Sequence, residues 1–276
     1  MSTSTKPDWS PDQYLLFRTA RNRPIHDLIT FLTSQQPHYS PSRIVDLGCG
    51  PANSSTILAA HFPDAVITGV DSSPAMLEAA KKAMPGVEFV QGDVREYEPP
   101  PGTDLLFSNA VFHWLRSKDR IPTVAKLVRG LEPGKGVFAM QVPDNFEEPS
   151  HRAMRETAYM EGREWSEYFG RDGDEKPELD PIESELAWYD ALTPLCRSVE
   201  IWTTRYVHVL DGHKEIVEWV RGTGLQPFLN RLPQDDPRVR NAFLEEYQRH
   251  LESGYQKTAD GKVLLQYPRT FVCAFR

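Results

Sequence analysis

From Arg43 to Val142, short apolar runs alternate with helical stretches, and few folds accommodate that alternation. Residues 43–47, 65–70, 87–90, 104–108 and 136–142 read as strands, short and rich in Val, Ile, Leu and Phe. Residues 54–61, 74–84 and 120–131 read as helices between them, the second opened by Ser73-Pro74. A Pro133-Gly134 turn leads into the fifth strand. Strands separated by helices pair in parallel, through crossovers that cover both faces of the sheet. The expected fold is therefore α/β and doubly wound.

The flanks are less regular. Ser10-Pro11 looks like a helix start, with Tyr14 and Phe17 on one face. A second helix is expected from about Pro24, carrying Ile25, Leu28, Ile29 and Leu32. Residues 36–42 read as a polar linker. Helices are expected over 150–161, 181–195, 214–220 and 240–253, and strands over 199–210 and 270–275. In the first of these strands Ile201, Thr203, Arg205, Val207 and Val209 share a side. Residues 162–181, rich in Gly, Asp and Glu, read as a mobile loop.

The chemistry-bearing signal is Val45-Asp46-Leu47-Gly48-Cys49-Gly50-Pro51-Ala52-Asn53. Glycines directly after a strand and before a helix let the backbone turn sharply and approach a ligand. Asp71 closes the next strand, 23 residues beyond Gly48, where a carboxylate can accept both ribose hydroxyls of an adenosine. The dinucleotide pattern GxGxxG would require a small residue where Asn53 stands. The GxGxG pattern of S-adenosylmethionine (SAM) loops fits better, as Gly48, Gly50 and Ala52. Ala52 would resist a positive φ by about 1 kcal/mol.

Other segments reach the same sheet edge. Asp93 follows the third strand and can accept from an adenine amino group, with the Val94 N–H donating to the ring. Asp46 can order the loop, Ser72 adjoins the ribose position, and Asn109 ends the fourth strand.

A formal net charge of −8, with no compensating Lys/Arg run, reads as a solvated surface and not as a nucleic-acid footprint. Cys49, Cys196 and Cys273 lie far apart, which argues against a disulfide framework or a cysteine-based zinc site, and no metal is expected. His208 and His213 flank a turn and read as exposed polar residues. The first residues lack the apolar core of a secretory signal, and no run approaches the ~18 apolar residues of a membrane span. The expectation is a reduced cytoplasmic protein without nucleic-acid or membrane partners, monomer or homodimer.

Several stretches resemble the class I SAM-dependent methyltransferases, and within them the trans-aconitate 2-methyltransferase family. They include residues 9–17, 21–24, 46–51 and 68–76, and further on 141–145, 148–151, 154–156, 201–204, 218–220, 223–227 and 267–269. Ala52 stands where that family usually has glycine, and residues 161–182 are longer and more acidic than its pattern. The resemblance implies a Rossmann-like, mostly parallel sheet with an antiparallel C-terminal strand, N-terminal helices and a helical cap. It implies residues 1–42 as a helical segment covering the active site, and residues 43–276 as the methyltransferase domain with cap elements at 146–195 and 211–260. The implied activity is methyl transfer from SAM to one carboxylate of trans-aconitate, giving a monomethyl ester.

A carboxylic acid with a pKa near 4 is already ionised at neutral pH, so it calls for no general base, only positioning and exclusion of water. Trp9, Tyr14, Trp114 and Trp219 are candidate aromatic walls. Arginine forks suit carboxylates. Of Arg18, Arg21 and Arg23, the last is the candidate for the methionine carboxylate of SAM; Arg155 and Arg269 are candidates for the substrate. His113 could contact substrate, or act as a base if the acceptor were a hydroxyl or thiol. That second acceptor class, and a SAM-binding protein without catalysis, are the alternatives.

Overall fold

A computed structural model of the chain describes residues 17–35, 39–170 and 176–276. The helix start at Ser10-Pro11, and the candidates Trp9 and Tyr14, lie outside these residues. The described residues form two compact units. One holds residues 17–143, 182–204 and 269–276; the other holds 144–181 and 205–268.

The first unit begins with α1 (Arg18–Gln35) and alternates through β1 (Arg43–Leu47), α2 (Asn53–His61), β2 (Val66–Asp71), α3 (Pro74–Ala83), β3 (Glu88–Gln91), β4 (Leu105–Asn109), α4 (Ser117–Arg129) and β5 (Val137–Pro143). It is completed by α6 (Glu185–Leu192) and by parts of β6 (Ser198–Leu210) and β7 (Val263–Phe275). The sheet order is β3-β2-β1-β4-β5-β7-β6. β1 to β5 pair in parallel, and β7 runs antiparallel to β5 from Val137↔Phe275 to Pro143↔Arg269. The order reverses between β1 and β4, so the crevice that doubly wound sheets use for ligands opens beyond Leu47 and Asn109.

The central strands are buried on both faces: all of β4 is buried, and all of β5 up to Val142. Their core joins Val45, Leu47, Val70, Leu106, Phe138 and Val272 to Val124, Leu127 and Val128 of α4 and to Trp188 of α6. The Ser73 Oγ accepts from the Met76 N–H at 3.2 Å and caps α3, as the Ser-Pro pair predicts. The α1 helix starts at Arg18 and carries Pro24 in its interior, not at its first position. Ile25, Leu28, Ile29 and Leu32 are all at most 1% exposed. Burying four such side chains is worth roughly 6–12 kcal/mol, well above the ~3 kcal/mol cost of an interior proline.

The second unit holds α5 (Pro149–Ala158), α7 (His213–Arg221), the short α8 (Gln226–Leu229) and α9 (Pro237–Gly254). Two expectations fail here. Of the stretch read as a mobile loop, residues 162–170 are pinned by aromatics. The Trp165 indole donates to the Thr157 carbonyl at 2.8 Å, and Phe169 stacks on Phe243 at 5.8 Å. His213 is buried and bonds the Tyr255 carbonyl through Nε2 at 2.8 Å, while His208 lies on Trp219 at 4.3 Å. Both histidines are held by packing partners remote in sequence.

β7 begins seven residues before the expected Thr270, because Pro268 punctuates an otherwise continuous strand. In β6 the side carrying Thr203, Arg205, Val207 and Val209 faces outward, and Tyr206 and Leu210 are the buried residues.

Candidate active site

The glycine loop follows β1 and is held by its neighbours. The Gly48 and Cys49 N–H groups both donate to the Val70 carbonyl, at 2.7 and 3.0 Å. Gly48 has φ +67°, and a Cβ there would lie 2.2 Å from the Val111 Cγ2, so only glycine fits. Gly50 has φ +54° with open space where its Cβ would be, which leaves room for a ligand against the backbone. Ala52 caps α2 at φ 70°, ψ 25°, a left-handed conformation that costs alanine about 1 kcal/mol. Its methyl is fully buried among Cys49, Leu77, Ala80 and Phe89, and that packing offsets the cost.

Three carboxylates lie at the carboxyl ends of β1, β2 and β3. Asp71 ends β2; its Oδ2 accepts from the Gly50 N–H and its Oδ1 from the Ser73 N–H, each at 2.9 Å. Ser72, next to it, is exposed.

Asp46 is wholly buried. Its Oδ2 accepts from the Ser54 and Ser55 hydroxyls at 2.7 and 2.6 Å, while its Oδ1 has no hydrogen-bond partner among the described residues. Burial raises its pKa to about 6, against the lowering effect of the two serines. An unsatisfied carboxylate oxygen beside the loop fits a cationic ligand group and opposes a pyrophosphate. This electrostatic preference agrees with SAM, which carries a sulfonium and an ammonium, and disfavours a dinucleotide.

Asp93 is grasped by Arg95. The Arg95 Nε donates to both carboxylate oxygens at 3.0 Å, and this pairing holds the Asp93 pKa below the usual range. An adenine amino group would share that carboxylate with Arg95. Val94 is buried beside it.

The post-β4 edge is built differently. Asn109 ends β4, and Ala110 turns the chain with φ 58°. His113 and Trp114 follow in a 3-10 turn, their rings 4.8 Å apart, His113 buried and Trp114 half-buried. Asn109 bonds Gln141 on β5, and the Gln141 Oε1 accepts from Arg269 of β7 at 2.9 Å. In α1, Arg23 is exposed and Arg21 is buried.

The remaining candidates belong to the second unit. The Arg155 guanidinium lies 3.7 Å from the Phe146 ring centre and donates to the Phe146 carbonyl at 2.7 Å. Desolvation lowers its pKa. Trp219 is 2% exposed and packs on His208 and Tyr267.

Sequence reasoning passed over Ser54, Ser55, Arg95 and Gln141. Gln141 left two signals, a lone amide in the apolar run of β5 and its place at the head of the family-like stretch 141–145. The serines left none beyond their place at the start of α2.

Residues 44–134 match the family model described as a methyltransferase domain. The chain is 43% identical to the trans-aconitate 2-methyltransferase of Rhodopseudomonas palustris strain HaA2 over 269 residues, covering 98% of this chain and 99% of that protein. It is 44% identical to the enzyme of the same name from Methylobacterium nodulans, covering 98% of each. Among solved structures, its fold is similar to that of YcgJ from Bacillus subtilis, with a TM-score of 0.52, 14% identity, and coverage of 91% of this chain and 99% of that one. It is also similar to phosphoethanolamine N-methyltransferase 2 of Haemonchus contortus, solved with S-adenosylhomocysteine, with a TM-score of 0.50, 15% identity, and coverage of 96% and 58%. The sheet is that of the class I methyltransferases, the carboxylates around the glycine loop fit SAM as cofactor, and end-to-end identity above 40% sets the narrower relationship: the chain is a SAM-dependent methyltransferase and belongs to the trans-aconitate 2-methyltransferase family.

Proposed function

We propose that the enzyme methylates one carboxylate of trans-aconitate, giving a monomethyl ester and S-adenosylhomocysteine. The observation that carries this reading is the 42–44% identity, over 97–98% of the chain, to several relatives named trans-aconitate 2-methyltransferase.

SAM supplies an electrophilic methyl group on a positively charged sulfur. In this reading Asp71 would accept from the ribose hydroxyls, and the open backbone at Gly50 would leave room for the cofactor. Asp46 offers Oδ1 to a cationic group. Asp93 and the Val94 N–H face the adenine, with Ser72, Gly48 and Asn109 at the same edge and Arg23 directed to the methionine carboxylate. The acceptor is already ionised, so no residue need remove a proton. Arg269 and Arg155 are assigned to anchor its other carboxylates, and His113, Trp114 and Trp219 to shape and dry its surroundings; Trp9 and Tyr14 complete that assignment. Anion and cation neutralise each other as the methyl moves, so excluding water favours the step.

The same reading takes the enzyme as cytoplasmic, a monomer or homodimer, without nucleic-acid partners. The net charge of −8 supports the last of these, and no described helix is long and apolar enough to cross a membrane. A methyl-transfer assay with labelled SAM over a panel of small acids, phenols and thiols tests it. Trans-aconitate should give the highest kcat/KM and an ester product. Faster turnover of a phenol or thiol would replace this reading with the hydroxyl or thiol alternative.

A further inference from the structure

Three polar side chains cross the sheet at the end of β4, β5 and β7. Asn109 and Gln141 are register partners on adjacent strands, and Arg269 pairs with Pro143, two residues beyond Gln141 and therefore on the same face. All three are buried, at 8%, 0% and 5% exposure. The neighbouring residues of β5 are apolar, and a buried amide there is costly unless fully bonded.

The bonding has one direction. Arginine carries only donors, so Gln141 must turn its Oε1 to Arg269, where the bond is 2.9 Å. Its Nε2 then faces Asn109, and it donates to the Asn109 Oδ1. Asn109 is thereby left with its Nδ2 as the onward group, a pair of N–H donors at the carboxyl end of β4. The cationic head of the chain polarises these donors further. With the opposite orientation Asn109 would present a carbonyl oxygen, which repels an anion.

We propose that Gln141 is a positioning residue that holds Arg269 and turns Asn109 so that this edge presents N–H donors to the acceptor carboxylate. The inference rests on the carboxylate-acceptor reading and extends it, moving Asn109 from the cofactor to the acceptor. It explains how a site without a required base could prefer an ionised acid to a neutral hydroxyl.

Gln141→Glu separates this role from a structural one. Glutamate keeps the size of the side chain and still accepts from Arg269. It can bond Asn109 only if that amide flips, which turns the Asn109 carbonyl outward, and its charge offsets that of Arg269. The expected result is a KM for trans-aconitate raised at least tenfold, with kcat less affected, S-adenosylhomocysteine affinity within threefold of wild type, and Tm unchanged. Asn109→Asp, which puts an anionic oxygen outward, should raise KM at least as much and serves if Gln141→Glu does not fold.

Tricarballylate, the saturated analogue, gives a reaction-free measure by titration into protein loaded with S-adenosylhomocysteine. Its affinity should fall at least tenfold in both variants. Wild-type KM and tricarballylate affinity in folded variants, or a change confined to S-adenosylhomocysteine, would overturn the proposal. A wild type that turns over no trans-aconitate, yet binds tricarballylate in a Gln141-dependent way, would sink the substrate reading and leave the positioning role standing. No tricarballylate binding by wild type would overturn both.

Discussion

The β1–β2 side of the sheet and the β4–β5–β7 side approach a ligand edge by different means. On the first, the groups are backbone amides and carboxylates within 30 residues of one another, from Asp46 to Ser73. On the second, Asn109, Gln141 and Arg269 are drawn together from across 160 residues. The first is a fixed cradle, in which glycine conformations and short bonds leave little to adjust. The second is a set of side chains, whose identity can change while the strands remain. On the proposed assignment, cofactor recognition lies in local chain geometry, and acceptor recognition in tertiary placement.

The contrast can be broken first within the cradle itself. Gly48→Ala should destabilise the protein by about 2–4 kcal/mol, since it adds overpacking against Val111 to a left-handed alanine. Gly50→Ala meets open space and should cost only about 1 kcal/mol in stability while weakening SAM binding. Urea melts of the two variants check this; equal losses would show that the loop relaxes around Gly48 and is no rigid cradle.

Asp71→Ala removes two loop hydrogen bonds as well as the proposed ribose acceptor, and should weaken SAM binding by about 2 kcal/mol or more. Calorimetric titration with SAM measures it, and near-wild-type affinity in the folded variant would remove Asp71 from the cofactor assignment.

Arg269→Ala sharpens the comparison from the other side. It should raise KM for trans-aconitate by about thirtyfold, or roughly 2 kcal/mol, with SAM affinity little changed. Arg155→Ala should do less, because part of that guanidinium is already committed to the Phe146 ring and carbonyl. If Arg269→Ala loses SAM affinity as strongly as acceptor affinity, the two sides of the sheet do not divide their labour as described.

The same division explains what could be read without a structure. The alternation from β1 to β5, the glycine loop and Asp71 are local patterns, and residues close in sequence are their own evidence. The alanine at position 52 could be flagged as a left-handed candidate from the loop pattern alone, and its φ is 70°. By contrast, α1 runs through Pro24 because four buried aliphatics outweigh the proline. Residues 162–170 look like a loose acidic loop, yet Trp165 and Phe169 find partners on α5 and α9. Gln141 reads as an oddity in an apolar strand, within a family-like stretch but without a role, until Arg269 is placed beside it.

The smallest expected effect lies at Ala52. Ala52→Gly relieves the left-handed alanine but removes a buried methyl and adds chain entropy to the unfolded state, so stability should change by less than about 1 kcal/mol. A larger loss in thermal or urea unfolding would show that the packing of this methyl, and not the backbone conformation, decides the position.

The central claim is that the acceptor arrives already ionised and that the protein removes no proton. The direct measurement is the pH dependence of kcat with trans-aconitate between pH 6.5 and 8.5, for wild type and for His113→Gln. The acceptor carboxylate, with a pKa near 4, does not titrate in that window, so the wild-type rate should be flat apart from a small fall at the acid end, where the buried Asp46, raised to about 6, begins to protonate. His113→Gln should lower the rate modestly without changing the shape of the profile. A wild-type rate that climbs through a histidine-like pKa, together with an inactive His113→Gln, would mean that a proton must leave the acceptor, and would contradict the account.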